Sequence, residues 1–201
     1  MSLNDIIIGG GCPICGTRDH KHADNCPYDF KNQLNQIKLQ GGYVNKQINC
    51  KIDNGAFQPK YETVCASGMD LKAWKYSLPE NPNVIIDFIL EGIDLFPHER
   101  VKILTGLHIE FPENIEAQLR PRSGLTFKNG IITQLGTIDE DYRGDISLVV
   151  LNTSNTPFHI NKGDRLGQIV FAKVEKFDLN VVDKLSETLR GENGFNSTGI
   201  K

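Results

Sequence analysis

The chain has 201 residues, 39% hydrophobic and 23% charged, enough for one domain with a sizeable core and a small appendage. Its 22 Lys and Arg against 25 Asp and Glu leave a net charge of −3. There is thus no basic excess of the kind that binds nucleic acid in bulk, and a polyanionic ligand must be met by local basic groups, a metal ion or backbone N–H groups. No apolar run approaches the ~18 residues that span a bilayer, and Met1–Ile8 lacks the basic segment of a signal peptide, so the expected location is the cytoplasm.

Residues 1–26 are short of large hydrophobics and rich in Gly, Cys, His and Asp, a composition that cannot bury a core of its own. Three of the five cysteines lie here, the total is odd, and none follows Cys65, which is not the spread of a disulfide framework. Cys12-Pro13-Ile14-Cys15, then His20, His22 and Cys26, has zinc-ligand spacing and resembles a retroviral-type zinc knuckle with one extra residue before the last Cys. Three thiolates and one imidazole, His20 or His22, would make a closed structural zinc site; otherwise these are reduced thiols in a loose extension. Such a module could dock a protein partner, whereas Arg18, Lys21 and Lys31 make only a thin basic patch for nucleic acid. Cys50 and Cys65 read as ordinary buried or linker thiols.

Residues 28–40 place Phe30, Leu34 and Ile37 on one helical face, with Pro27 before it and Gly41-Gly42 after, predicting one short amphipathic helix. From about residue 60 the pattern changes to short Val/Ile/Leu/Phe/Thr runs split by Gly, Pro, Asn and Asp: 84–90, 100–111, 115–119, 146–152 and 168–174. Within 100–111 the alternating face changes near Gly106. No helical crossover of 10–15 residues separates the runs, which predicts an all-β barrel or sandwich and argues against a doubly wound parallel sheet. After about Ser186 the chain is polar and Gly-rich, a flexible arm. The organisation expected is an extension over 1–50, a β-barrel over 51–185 and an arm over 186–201.

Four segments carry possible chemistry. Pro121-Arg122-Ser123-Gly124-Leu125 offers a guanidinium, a hydroxyl and a Gly that admits close backbone approach, which suits a phosphate or, more plainly, a β-turn. Gly136–Gly144 packs Asp139, Glu140 and Asp141 with Tyr142 and Arg143 into one turn, either a solvated turn or the seat of a general base. In the arm, Phe195 stands among Gly, Ser, Asn and Thr downstream of Arg190, either an incidental aromatic or a lid that stacks on a base. Asp70, in Ala66–Leu71, is a carboxylate between apolar neighbours, either a local acceptor or a metal-facing group.

Taken in order, Ala66–Leu71, Pro121–Leu125, Gly136–Gly144, Lys162–Ile169 and Arg190–Gly199 resemble motifs one to five of the homotrimeric dUTPases, over about residues 60–201. The resemblance implies a distorted jelly-roll β-barrel, a homotrimer with three shared sites, and hydrolysis of dUTP to dUMP and pyrophosphate with Mg²⁺. It implies that Asp139 is the general base and Asp70 an outer-shell anchor for Mg²⁺. Arg122, Ser123, Gly124 and Gln168 would contact the phosphates, with Arg190, Ser197 and Thr198 of the arm. Tyr142 would lie beneath the deoxyribose and exclude a 2′-hydroxyl. The hairpin through Thr133 and Gly136 would pair with the uracil edge, largely through backbone groups, and Phe195 would stack on the base. Residues 1 to about 50 have no counterpart in a minimal family member, and Glu91–Leu95 reads as a lengthened loop. A dCTP deaminase, or a bifunctional deaminase–dUTPase, is the alternative on the same fold; it is disfavoured because Val149 and Val150 stand where a proton-shuttling Glu would be needed. A third reading is a regulatory protein that engages a partner through its N-terminal module.

Overall fold

The computed structural model describes residues 46–88 and 92–192. Cys12, Cys15, His20, His22 and Cys26 of the zinc expectation, the helix expected over 28–40, and Phe195, Ser197 and Thr198 of the arm lie outside the described residues.

The described residues form an all-β fold with one short helix. In chain order the strands are β1 (Asn49–Ile52), β2 (Met69–Lys72), β3 (Lys75–Ser77), β4 (Ile86–Asp87), β5 (Ile93–Leu95), β6 (Arg100–Leu104), β7 (Leu107–Glu110) and β8 (Ile115–Pro121). Helix α1 (Ser123–Asn129) follows, then β9 (Ile131–Thr133), β10 (Gly136–Ile138), β11 (Leu148–Asn152), β12 (Phe158–Ile160) and β13 (Arg165–Lys173). A four-stranded sheet in the order β10-β8-β13-β2 and a five-stranded sheet in the order β4-β3-β6-β11-β9 are flanked by the pairs β1-β7 and β12-β5, and every pairing is antiparallel.

Period-two patterning explains the two-sheet arrangement. Along β11 Leu148, Val150 and Asn152 are buried while Val149 and Leu151 are not, and β8 buries Ala117 and Leu119. These side chains meet Val101 and Ile103 of β6, Leu71 of β2 and Leu166 and Ile169 of β13 in one continuous core. Among the described residues the buried Thr105, Thr133 and Asn152 side chains bond to nearby groups, whereas buried Ser77 Oγ has no hydrogen-bond partner. The Asn152 amide donates to Leu95 O and Thr156 O, both at 2.8 Å, and its carbonyl accepts from Ser154.

The run 100–111 is two strands in different sheets, joined at Thr105-Gly106. Gly106 has φ +70°, and a Cβ there would come within 2.3 Å of the Ala56 Cβ, so only Gly turns this corner. Several expectations shift. Pro121–Leu125 is neither turn nor loop: Pro121 ends β8 and the next residues open α1, which stops at Gly130 in the left-handed region (φ +65°). Ile93–Leu95, read as part of a lengthened loop, is β5, paired with β12. Cys50 lies on β1, which already pairs with β7 at Asn49, and both Cys50 and Cys65 are exposed rather than buried. Beyond Lys173 no strand or helix forms among the described residues, so the extended tail begins before the expected residue 186.

Candidate functional site

Motifs one, two and four converge at one end of the β10-β8-β13-β2 sheet. Strand β13 lies between β2 and β8 and sets Gln168 opposite Asp70 on one side and opposite Arg120 on the other. Asp70 is mostly buried, with 15% of its side chain exposed, and sits between two guanidiniums: Arg122 Nε at 3.3 Å and Arg165 Nη1 at 3.2 Å. Arg122 also donates through Nη1 to Arg165 O at 2.8 Å, and the Gln168 amide donates to Pro121 O at 3.1 Å. Gly68 leaves room for that glutamine: a Cβ there would stand 2.7 Å from Gln168 Oε1. Beside this frame Ser123 and Gly124 are exposed. A Cβ on Gly124 would meet no atom within 4 Å, and its φ is not positive, so no contact within the described chain demands glycine there. The open space suits a ligand that approaches the backbone closely.

Motif three lies at the other end of the same sheet. Register pairs Ile138 with Ala117, so Asp139 leaves the sheet beside Glu116, at the start of β8. Asp139 is exposed and lines an open cleft of about 350 Å³ with Glu116, Glu140, Asp141 and Lys176. Glu140 anchors the turn: it accepts from Asn114 N at 2.9 Å and pairs with Lys176 at 3.4 Å. The Asn114 N–H first, and then the Lys176 ammonium, hold its carboxyl below the usual carboxylate range. Tyr142 folds back across Gly144, where a Cβ would lie 2.3 Å from its hydroxyl, and that hydroxyl donates to Asp145 O at 3.1 Å. Tyr142 as a whole stays 43% exposed at the mouth of the turn.

The expected hairpin through Thr133 and Gly136 is instead a crossing between sheets, since β9 pairs with β11 and β10 with β8. The Thr133 hydroxyl is buried and donates to Leu166 O, and Gly136 packs so closely on Leu119 that a Cβ would lie 3.3 Å from its Cδ1. Leu135, at the tip, is 70% exposed. Arg190 is exposed, in the tail. A larger groove of about 680 Å³ beside Tyr76, Phe96 and His98 holds none of the motif residues.

Two residues central to this geometry were not singled out by sequence reasoning. Arg165 is the second cation on Asp70; the signal was a mostly apolar-flanked carboxylate that needs more than one partner. Asp145 follows directly on motif three and accepts from Thr105 N at 3.2 Å and Gly106 N at 2.6 Å, tying the turn to the β6–β7 corner. Only a carboxylate set against Thr-Gly 39 residues upstream hints at that bond, and sequence distance hides it.

The family model described as dUTPase matches residues 88–199. A deoxyuridine 5'-triphosphate nucleotidohydrolase of Cytophaga hutchinsonii is 48% identical over 170 residues, covering 84% of this chain and 94% of that protein. The chain belongs to the dUTPase family. Among solved structures, the dUTPase of Staphylococcus bacteriophage 80alpha with dUPNHPP superposes with a TM-score of 0.65 at 22% identity, covering 78% of this chain and all of that one. A point mutant of the dUTPase from phage phi11 of S. aureus, described with a structural Mg(II) ion, superposes with a TM-score of 0.58 at 19% identity, covering 71% and 100%. The two phage structures share the fold, and the bacterial relative shares the family's sequence as well.

The dUTPase frame around Asp70 has a measurable stability. Asp70→Asn leaves Arg122 and Arg165 facing each other with no anion between them. Because both guanidiniums are partly exposed, the loss should be limited to about 1–2 kcal/mol. Urea unfolding with an unchanged slope and a lower midpoint checks this; an unshifted midpoint contradicts it.

Proposed function

We propose that the chain is a dUTP diphosphatase that hydrolyses dUTP to dUMP and pyrophosphate, limiting uracil in DNA and supplying dUMP for dTMP synthesis. The observation that carries the reading is the clustering of its motifs into a guanidinium-rich frame (Asp70, Arg122, Arg165, Gln168) and a carboxylate turn (Asp139, Tyr142), in a chain 48% identical to a protein named for that reaction. Asp139 orients a water and accepts its proton as the oxygen attacks the α-phosphorus in line. The bond from the α-phosphorus to the bridging oxygen breaks, and pyrophosphate leaves with the electron pair. Arg122, Ser123 and the open backbone at Gly124 receive the phosphates, and Gln168 fixes that segment by holding Pro121 O. Arg190, Ser197 and Thr198 of the arm add donors, and Phe195 stacks on the uracil. The Tyr142 face lies under the sugar, and the backbone between Thr133 and Gly136 reads the base.

Magnesium supplies charge neutralisation on the triphosphate when bound. The donor set here fits a contact through the ion's water shell: Asp70 is a single carboxylate whose oxygens already face two guanidiniums, which is poor direct coordination but a sound acceptor for metal-bound water. The exposed thiols of Cys50 and Cys65 fit the reducing cytoplasm. The deaminase alternative finds no support in β11, where Val150 is fully buried in the core.

The register favours a site shared between copies, as in a homotrimer. Asp139 and Arg122 stand at opposite ends of β8, roughly 15–20 Å apart at ~3.3 Å per residue. A water on the base and a phosphate in the frame must meet within ~3–3.5 Å, which supports a second copy bringing one of them. The tail supports the same reading: Phe177, Leu179, Val181 and Leu189 are 79–110% exposed, an apolar series suited to burial against another chain. Apart from this chemistry, Cys12, Cys15, Cys26 and one of His20 or His22 would hold one zinc ion and give the extension a surface for a protein partner. One zinc per chain by elemental analysis, lost in Cys12→Ser, supports that; metal-free protein overturns it.

Pyrophosphate release with Mg²⁺ should be fastest from dUTP and much slower from UTP, dTTP and dCTP. Asp139→Asn should cost about 10²–10⁴-fold in turnover without loss of stability. Gly124→Ala should hold or slightly raise the thermal midpoint, since Ala suits helix α1 better than Gly, yet raise KM, since its methyl meets only the ligand. Equal turnover of dUTP and UTP, or a near-fully active Asp139→Asn enzyme, contradicts the reading.

A further inference from the structure

Behind the Tyr142 turn lies a junction of three side chains from three parts of the chain: Asp53 after β1, His108 on β7 and Asp145 beyond motif three, with one polar atom of each within 4.8 Å of the others. His108 Nδ1 lies 3.0 Å from Arg143 O, and Nε2 lies 3.2 Å from Asp53 Oδ2. A carbonyl oxygen can only accept, and so can a carboxylate, so making both contacts takes two N–H groups. Neutral imidazole has one. The charged groups around the ring are consistent with imidazolium. Asp53 faces it from the β1 side, itself paired with Lys51 at 2.9 Å, and Asp145 lies on the turn side. The Arg143 guanidinium is turned back on Glu140 O and Tyr142 O, while Glu110 shares the ring's own strand. Partial burial opposes the charge, but the contacts with Arg143 O and Asp53 outweigh it and hold the imidazole above its ordinary value of 6.5.

The contact bears directly on Tyr142. Arg143 O belongs to the next residue, and the Tyr142 hydroxyl bonds to Asp145 O, whose carboxylate is pinned to the β6–β7 corner. His108 thus grips the peptide between Tyr142 and its anchor.

We propose that His108, as imidazolium, is a positioning residue that sets the Tyr142 ring for discrimination between deoxyribose and ribose, and that its deprotonation relaxes this filter. The proposal rests on the reading of Tyr142 as the face that meets the sugar. The linkage has a definite sign. A histidine whose folded value is raised contributes fully below pH 6.5 and loses its contribution as pH rises through the folded value. Once neutral, the ring keeps its proton for only one acceptor, and the other contact becomes two lone pairs face to face.

The test measures kcat/KM for dUTP and UTP across pH 6–9, with the Tyr142 ring and His108 signals followed by NMR in the same full-length protein. The wild type should lose on the order of ten-fold in its dUTP/UTP ratio through the His108 titration, and the Tyr142 signals should move with the same midpoint. Asp53→Asn, which removes the anion but keeps an acceptor, should move both midpoints to lower pH. His108→Asn, whose amide N–H can still reach Arg143 O, should hold the ratio but lose its pH dependence, whereas His108→Leu should lower the ratio at every pH. A Tyr142 signal blind to His108, or a ratio the same in His108→Leu as in wild type, overturns the proposal while leaving dUTP hydrolysis standing. Absence of any dUTP preference in the wild type would instead strike the functional reading, and the NMR arm would still decide whether His108 sets the ring.

Discussion

The antiparallel pairing of β8 with β10 on one side and β13 on the other is the constraint on which the rest of this site depends. The antiparallel register sets Ala117 opposite Ile138 and Pro121 opposite Gly167, and a slip of one residue would turn Ala117 and Leu119 out of the core. The same register fixes where chemistry can stand. Arg122 emerges where β8 ends, Asp139 where β10 ends, and antiparallel order puts those ends apart. The pairing that positions the Asp70 cluster and the Asp139 turn therefore holds the two apart within one chain.

Each half is organised around an anion held by fixed donors. Where β8 ends, Asp70 collects Arg122 and Arg165, and Gln168 holds the backbone from which Arg122 departs. A lone guanidinium on a flexible stem would sample many positions; sharing a mostly buried carboxylate limits it before any ligand arrives. At the end of β10 the carboxylates differ in their partners. Glu140 and Asp145 are committed to backbone N–H groups of neighbouring elements, which leaves Asp139 on a stiff turn facing the cleft. Three acids in one turn look repulsive in the sequence, but one of them is already tied to Asn114 and Lys176.

Much of this was legible in the residues. Period-two runs exposed the strands because one face of each must be buried, and Gly106 marked a change of face because the chain there needs a positive φ. Motif two could be expected to face a phosphate from its guanidinium, hydroxyl and Gly, whereas its meeting with motifs one and four is set by the β13 register. What stayed hidden depends on contacts far apart in sequence. Helix α1 is seven residues long, too short for a periodic signal, and its opening Ser-Gly follows Pro-Arg, a pattern that reads as a turn. Arg165 and Asp145 act through partners 95 and 39 residues away. Ile93–Leu95 becomes a strand only because Phe158–Ile160 lies beside it.

The central claim, that base and phosphate frame come from different copies of the chain, is tested most directly by complementation. Asp139→Asn and Arg122→Ala chains are each prepared alone and then co-assembled in equal amounts, with pyrophosphate release from dUTP as the readout. Each parent should be nearly inactive, and the mixture should recover about a quarter of wild-type activity, the fraction of sites that draw an intact base from one chain and an intact frame from its neighbour. A mixture no more active than its parents, in assemblies verified to contain both chains, would contradict the account.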